Sequence, residues 1–390
     1  MNRGKWKKMG AYERLDRAIA ERPLKLQQAK DSGTKIVGIS GLGYVPEELV
    51  YAAGAIPLRL VRGGDPEPLA AAAGDMDRLL CPFARAQYGY RVLEEESRYH
   101  MVDLFVCAIT CQHMRRVADV WDLNTDVEVF RLGVPHAYDT EAGLRYYCEM
   151  IKRLKEKLEL FMNTKIEDEK LQETIVFYNR IRELLKEISF LRKSNVPPIT
   201  GKDFFQLMHS SFYLDPHEVV EILESLVAQL RKHNGKAASG RHRILLTGNM
   251  LAVGDYKVID MVEEAGGSVV IEQFCGGVRH YLDTINLNGD LLEATAKRYL
   301  RERAPCAFMR PSRARLDLVV ELAREFKADG VVWYQLRYCD TYNMEFFYFN
   351  KIMKERGIPV LQLESEYDVE ERGRLMNRVE SFMETLDRRK

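Results

Sequence analysis

Two stretches of the 390-residue chain, 33–140 and 236–390, repeat one rhythm: a short apolar run, a turn marked by glycine, proline or cysteine, then a segment of helical period. Apolar runs without polar alternation suit strands covered on both faces, and strands separated by helices return in parallel. KIVGIS (35–40), AIPLRL (55–60), MVDLFV (101–106) and VEVFRL (127–132) supply the first set. RILLTGN (243–249), SVVIEQ (268–273), GVVWYQ (330–335) and IPVLQL (358–363) supply the second. Between them, residues 141 to about 192 are charged and helical, with a break expected at Asn163 to Asp168 because 50 residues exceed a usual globular helix. A further helix is expected from Pro216 to about Lys232, and HNGKAASGRH reads as a linker. The expected fold class is therefore α/β: two flavodoxin-like or Rossmann-like domains joined by a helical block, with any shared site in the cleft between them. The expected units are a helical arm at 1–32, a first α/β domain at 33–140, a helical block and linker at 141–235, and a second α/β domain at 236–390.

Charge narrows the partners. The 58 basic and 58 acidic side chains cancel, so no global field favours nucleic acid or an anionic membrane. No apolar run approaches the roughly 18 residues of a spanning helix, and the basic N-terminal stretch lacks the apolar core of a signal peptide. A cytoplasmic protein is expected. The turn GLGYVP after the first strand departs from the GxGxxG spacing, which argues against a dinucleotide loop there.

Seven cysteines occur in a chain too large to need disulfide staples. That leaves packing, reactive thiols or metal ligation as their roles. Cys107 and Cys148 read as packing. Cys81, Cys111 and Cys339 each stand where an α/β element meets a loop, and ligands of open α/β sheets gather at the C-terminal ends of strands. They are 30 and 228 residues apart, so any common site must be assembled by the fold. The close C-x2-4-C pairs of structural zinc are not available to them, whereas widely separated thiolates suit an iron–sulfur cluster. His113, two residues after Cys111, is a candidate proton donor. Glu48, beside the glycine-rich turn, is a candidate substrate contact, although a carboxylate at a helix start has a capping role of its own.

Beyond these placements, a series of motifs carries a resemblance. GISGLGYVPEELVYAAGAIPLRL, LLCPFARAQYG, AITCQHMRR, ILLTGNMLAVGDYK, VVIEQFCGGVRHY, RAPCAFMRPSRARLDLVV, DGVVWYQLRYCDTY and GIPVLQLESEYD occur in order over residues 30–388. The series resembles the family containing 2-hydroxyacyl-CoA dehydratase subunits, benzoyl-CoA reductase subunits and double-cubane cluster proteins. The resemblance implies a [4Fe-4S] cluster on Cys81, Cys111 and Cys339 between two α/β domains. It implies an acyl-CoA substrate and a separate homodimeric ATPase activator, carrying its own [4Fe-4S] cluster, that uses ATP to deliver single electrons. The remaining implied partner is a homologous second subunit or a second copy of the chain. Cys275 and Cys306 also match family positions, and with the other three they imply an alternative, the larger [8Fe-9S] double-cubane cluster of a homodimeric reductase. Two departures stand out: Gly41-Leu42-Gly43 occupies the place where many members carry serine or cysteine, and Gln112 replaces a common acidic residue after Cys111. A reading of another class is a non-catalytic subunit that only pairs with a catalytic partner.

Overall fold

The first four apolar runs form strands β1 (Ile36–Ser40), β2 (Ile56–Leu60), β3 (Leu104–Ile109) and β4 (Glu128–Gly133), hydrogen-bonded in the order β2-β1-β3-β4. The last four form β5 (His242–Gly248), β6 (Gly267–Gln273), β7 (Gly330–Leu336) and β8 (Val360–Ser365), in the equivalent order β6-β5-β7-β8. This is a computed structural model, which describes residues 10–41, 43–94, 96–232, 242–368 and 370–389. All six strand pairings are parallel. The inner strands β1 and β7 are buried along their whole length, and β3 and β5 at all but one residue each, as expected when helices cover both faces of a parallel sheet. Both orders are those of doubly wound sheets, so the chain contains two α/β cores of one topology.

Local chemistry explains the junctions. Thr140 caps the helix Glu141–Met162 by accepting the Gly143 amide at 3.0 Å, and Asn163 ends it in the left-handed region at φ 49°. The helix Asp168–Phe190 then runs back against Pro216–Lys232, which also receives the N-terminal helix Gly10–Asp31. At the end of β5, Gly248 has φ 146°, and a Cβ there would meet the Tyr334 carbonyl at 1.7 Å. Only glycine allows that approach.

Three elements near the strand ends are shaped locally. The third strand is shifted toward Ile109, because the Asp103 carboxylate accepts the Ile36 amide and its own amide donates to the Ile36 carbonyl, which fixes where pairing begins. Residues 278–302 form a broken helical stretch: Val278–Tyr281 and Leu291–Lys297 are α-helical, Arg298–Glu302 forms a π turn, and Gly289 and the capping Asp290 lie between. The helix after β7 begins at Asp340, which places Cys339 at its N-terminal boundary. The linker expected at HNGKAASGRH falls almost wholly on 233–241, outside the described residues, as does the start of the N-terminal arm.

The two α/β cores meet through backbone and side chains. Val253 donates to the Val61 carbonyl at 2.9 Å, and Arg310 donates to the His136 carbonyl at 2.8 Å. Among the described residues no helix is long and apolar enough to cross a membrane.

Candidate active site

The ends of β3, β5, β6 and β7 open on one cavity of about 320 Å3, to which both α/β cores contribute. Its wall contains Cys81, Cys111, Cys275, Cys306 and Cys339, all five cysteines singled out as site residues. Cys81, Cys111 and Cys339 occupy the same structural position, the residue immediately before a helix: Pro82–Val92, Gln112–Asn124 and Asp340–Glu355 respectively. Cys275 follows β6 by two residues, and Cys306 lies on the loop between the π turn and the helix Arg313–Glu325. Fold topology thus gathers cysteines that the sequence separates.

The thiols are arranged in contacts with one another. Cys275 and Cys306 stand 3.3 Å apart, and the Tyr342 hydroxyl lies 3.3 Å from the first and 3.5 Å from the second. The hydrogen bond to Cys306, then burial, pushes the Cys275 thiol up. Burial alone would raise Cys306 too, but the bond from Cys275 and the charges of Arg279 and Arg315 take it well below the ordinary thiol range. The adjacent Cys81, then desolvation, pushes Cys339 up. Burial pushes Cys111 up to about 11 against the pull of the Met114 and His113 amides.

His113 also lines the cavity. Its Nδ1 accepts the Cys81 amide at 3.1 Å, which leaves the proton of the neutral ring on Nε2, 3.8 Å from Asp340. Burial lowers its pKa, opposed by the Asp340 carboxylate, so the neutral ring is favoured. Glu48 is elsewhere. It is fully buried, bonded to Arg182 and, at 2.8 Å, to the Tyr299 hydroxyl, and does not line the cavity. Burial would raise its pKa, but Arg182 brings it below the usual carboxylate range. Arg279 is likewise buried, donating to the Ala304 carbonyl and the Tyr44 hydroxyl, each at 2.6 Å. Arg115 is exposed at the cavity.

The cluster expectation requires correction. Among the described residues, no three His, Cys, Asp or Glu side chains are placed so that they could hold a metal ion. The [4Fe-4S] cluster expected on Cys81, Cys111 and Cys339, and the [8Fe-9S] cluster expected with Cys275 and Cys306 added, do not fit this donor set. The physical reason is pairing: the Cys275 and Cys306 sulfurs face each other and the Tyr342 hydroxyl, and the Cys339 sulfur lies 3.9 Å from the Thr341 hydroxyl.

Sequence reasoning missed Thr110, Asn249 and Tyr342. Thr110 Oγ1 and Asn249 Oδ1 are buried on the cavity without a hydrogen-bond partner. Both follow the C-terminal end of a strand, β3 and β5, which is the signal that would have found them.

Comparison with known proteins reports on the chain as a whole. Residues 43–386 match the profile of the family described as 2-hydroxyglutaryl-CoA dehydratase, D-component. The chain belongs to this family. A candidate dehydratase subunit, YjiM, of Escherichia coli K12 is 27% identical over 367 residues, 93% of this chain and 94% of the relative. The (R)-phenyllactyl-CoA dehydratase beta subunit of Clostridium sporogenes is 25% identical over 371 residues, 94% and 96% of the two chains. A benzoyl-CoA reductase subunit of Thauera aromatica is 23% identical over 337 residues, 86% and 85%. In this D-component family member, the cavity lies between the matching ends of the two sheets.

Proposed function

We propose that this chain is a subunit of an enzyme acting on a CoA thioester, by dehydration of a 2-hydroxyacyl group or by reduction of an acyl group of the benzoyl type, with the acyl end held in the cysteine-lined cavity. The observation that carries the reading is a single cavity with a mostly apolar wall at the C-terminal ends of strands from both sheets, interrupted by a few unsatisfied polar atoms. Relatives across nearly the whole chain are named as subunits of enzymes acting on phenyllactyl-CoA and benzoyl-CoA. At about 320 Å3 the cavity is near the lower end of the roughly 300–1,000 Å3 usual for ligand sites. It suits an acyl group, with the nucleotide end of CoA lying outside beside the exposed Arg115.

The side chains take roles that follow from their chemistry. His113 presents its Nε2 proton toward the cavity and serves as proton donor. Asn249 and Thr110 orient the thioester, since each has a buried polar atom to satisfy. The apolar wall excludes water from the reacting acyl group. A homologous second subunit or second copy, together with a separate activator that delivers single electrons, completes the working enzyme.

The test incubates the chain with its partner subunit and activator, anaerobically, with 2-hydroxyacyl-CoA and with benzoyl-CoA, and follows the thioesters by mass spectrometry. Loss of water from the first or gain of hydrogen by the second supports the reading. Unchanged thioesters, with no acyl-CoA bound to the chain in equilibrium dialysis, would overturn it.

A further inference from the structure

The cavity wall sorts its side chains by depth. Arg115 and Asp340 are exposed at the rim, whereas Phe83, Met114, Met250 and Phe308 are buried. The buried arginines near this wall are committed elsewhere. Arg315 lies 5.1 Å from the centre of the Tyr342 ring and donates to Glu345 and, at 2.8 Å, to Gln273. Arg279 donates to the Ala304 carbonyl and the Tyr44 hydroxyl; its Nη1 is unpartnered, yet neither arginine lines the cavity. A carboxylate carried into the buried part would give up its water without meeting a cation, which disfavours it strongly.

An uncharged ring meets the opposite case. Phe308 is packed edge-on against Tyr44, 5.8 Å away and off the cavity wall, and against His136, 5.5 Å away and on it. The phenyl ring is thus fixed before a ligand arrives, and a further ring gains edge or offset contact with it at little ordering cost. Asn249 adds a second constraint. Its Oδ1 is buried on the wall without a partner, and an amide oxygen can only accept. A 2-hydroxyl group supplies the missing donor, and a benzoyl group has none.

Resting on the reading of this cavity as an acyl-CoA site, we propose that it selects a 2-hydroxyacyl thioester with an uncharged aromatic side chain. Phe308 sets the preference for the ring, and Asn249 accepts a hydrogen bond from the 2-hydroxyl. Acyl groups ending in a second carboxylate are turned away, because among the described residues the buried wall offers them no cation. A small aliphatic acyl group enters but leaves Phe308 without a contact.

The test is equilibrium dialysis of the full-length, anaerobically purified chain against the CoA thioesters of 2-hydroxy-3-phenylpropanoate, 3-phenylpropanoate, 2-hydroxypropanoate and 2-hydroxyglutarate. The first is expected to bind at least about a hundredfold more tightly than the last, and at least about tenfold more tightly than its analogue without the hydroxyl. Phe308→Ala is expected to weaken both phenyl thioesters by about tenfold and to leave 2-hydroxypropanoyl-CoA within about twofold, a split that general loss of structure does not produce. Where that variant fails to fold, Phe308→Leu should show the same split at smaller size. Binding of 2-hydroxyglutaryl-CoA as tight as that of the hydroxylated phenyl thioester would overturn the selectivity while leaving the acyl-CoA reading intact. So would equal binding of the two phenyl thioesters, or an equal loss for every thioester in the Phe308 variants. If no thioester binds, both readings fall.

Discussion

The thiol-lined cavity and the ionic seam around Glu48 both join elements from the two halves of the chain, yet the seam is closed around paired charges and the cavity is open space. In the seam, Glu48 from the first half meets Arg182 from the helical block and Tyr299 from the second, and Glu47 pairs with Arg59 at 2.8 Å. These charges are buried and their carboxylates are matched to cations. Arg59 Nη1 and Arg182 Nε have no partner there, but they belong to guanidiniums already paired with a carboxylate, whereas on the cavity wall Thr110 Oγ1 and Asn249 Oδ1 are unsatisfied beside five thiols. A seam of paired charges holds parts of a fold in register, whereas open space bordered by unsatisfied groups is where a ligand gains contacts.

If that contrast is right, damage to the seam should cost stability and damage to the cavity should cost binding. The largest effect is expected from Glu48→Ala, which strands the buried Arg182 charge and should destabilise the chain by about 3–5 kcal/mol in urea unfolding. Cys111→Ala, on the cavity wall, should stay within about 1 kcal/mol in the same measurement. Equal losses for the two would erase the distinction.

Filling the cavity tests the other side. Ala84 is buried on the wall, and Ala84→Phe should weaken acyl-CoA binding by at least about tenfold in equilibrium dialysis, or about 1.4 kcal/mol. Unaltered affinity would place the ligand elsewhere.

A pH dependence reports on burial outside both regions. Burial and the Arg59 charge push His209 down to about 3 from its usual 6.5. Between those values the unfolded chain binds the extra proton, so this group's contribution to stability is present above about pH 6.5 and is lost as pH falls. Asp255, pushed up to about 6 by burial, acts in the opposite sense between 3.8 and 6, so the wild-type slope is a sum. Subtracting the profile of His209→Asn isolates the histidine, whose share should not exceed about 1.4 kcal/mol per pH unit. Parallel profiles for the two proteins would show that His209 is not held neutral.

The smallest effect is expected at Cys148, a partly exposed thiol on the helix Glu141–Met162, away from the cavity wall. Cys148→Ser should change stability by no more than about 0.5 kcal/mol and leave acyl-CoA binding intact. A binding loss there would extend the functional region beyond the cavity.

Much of this contrast was legible before any coordinates. Strand periodicity located all eight strands, and placement where an α/β element meets a loop singled out Cys81, Cys111 and Cys339 without reference to relatives. Glu48 misled, because a carboxylate at a helix start looks the same in sequence whether it faces a ligand or a buried arginine 134 residues away. Tyr342 was passed over for a similar reason: nothing in DTYNMEFF distinguishes a tyrosine that spans two sulfurs from one that packs.

What the sequence determined by itself was local and repetitive: two sets of buried parallel strands, the helices between them, and cysteines placed at the junctions. These follow from side-chain period and turn chemistry, which act over a few residues. Only the tertiary structure decided how the thiols face one another. The cysteine positions allowed a convergent set of three or more, and the resemblance implied one. The folded chain instead sets Cys275 against Cys306 with the Tyr342 hydroxyl beside both. The direction of a side chain at a strand end depends on the packing of loops from both halves, and separation along the chain does not encode it.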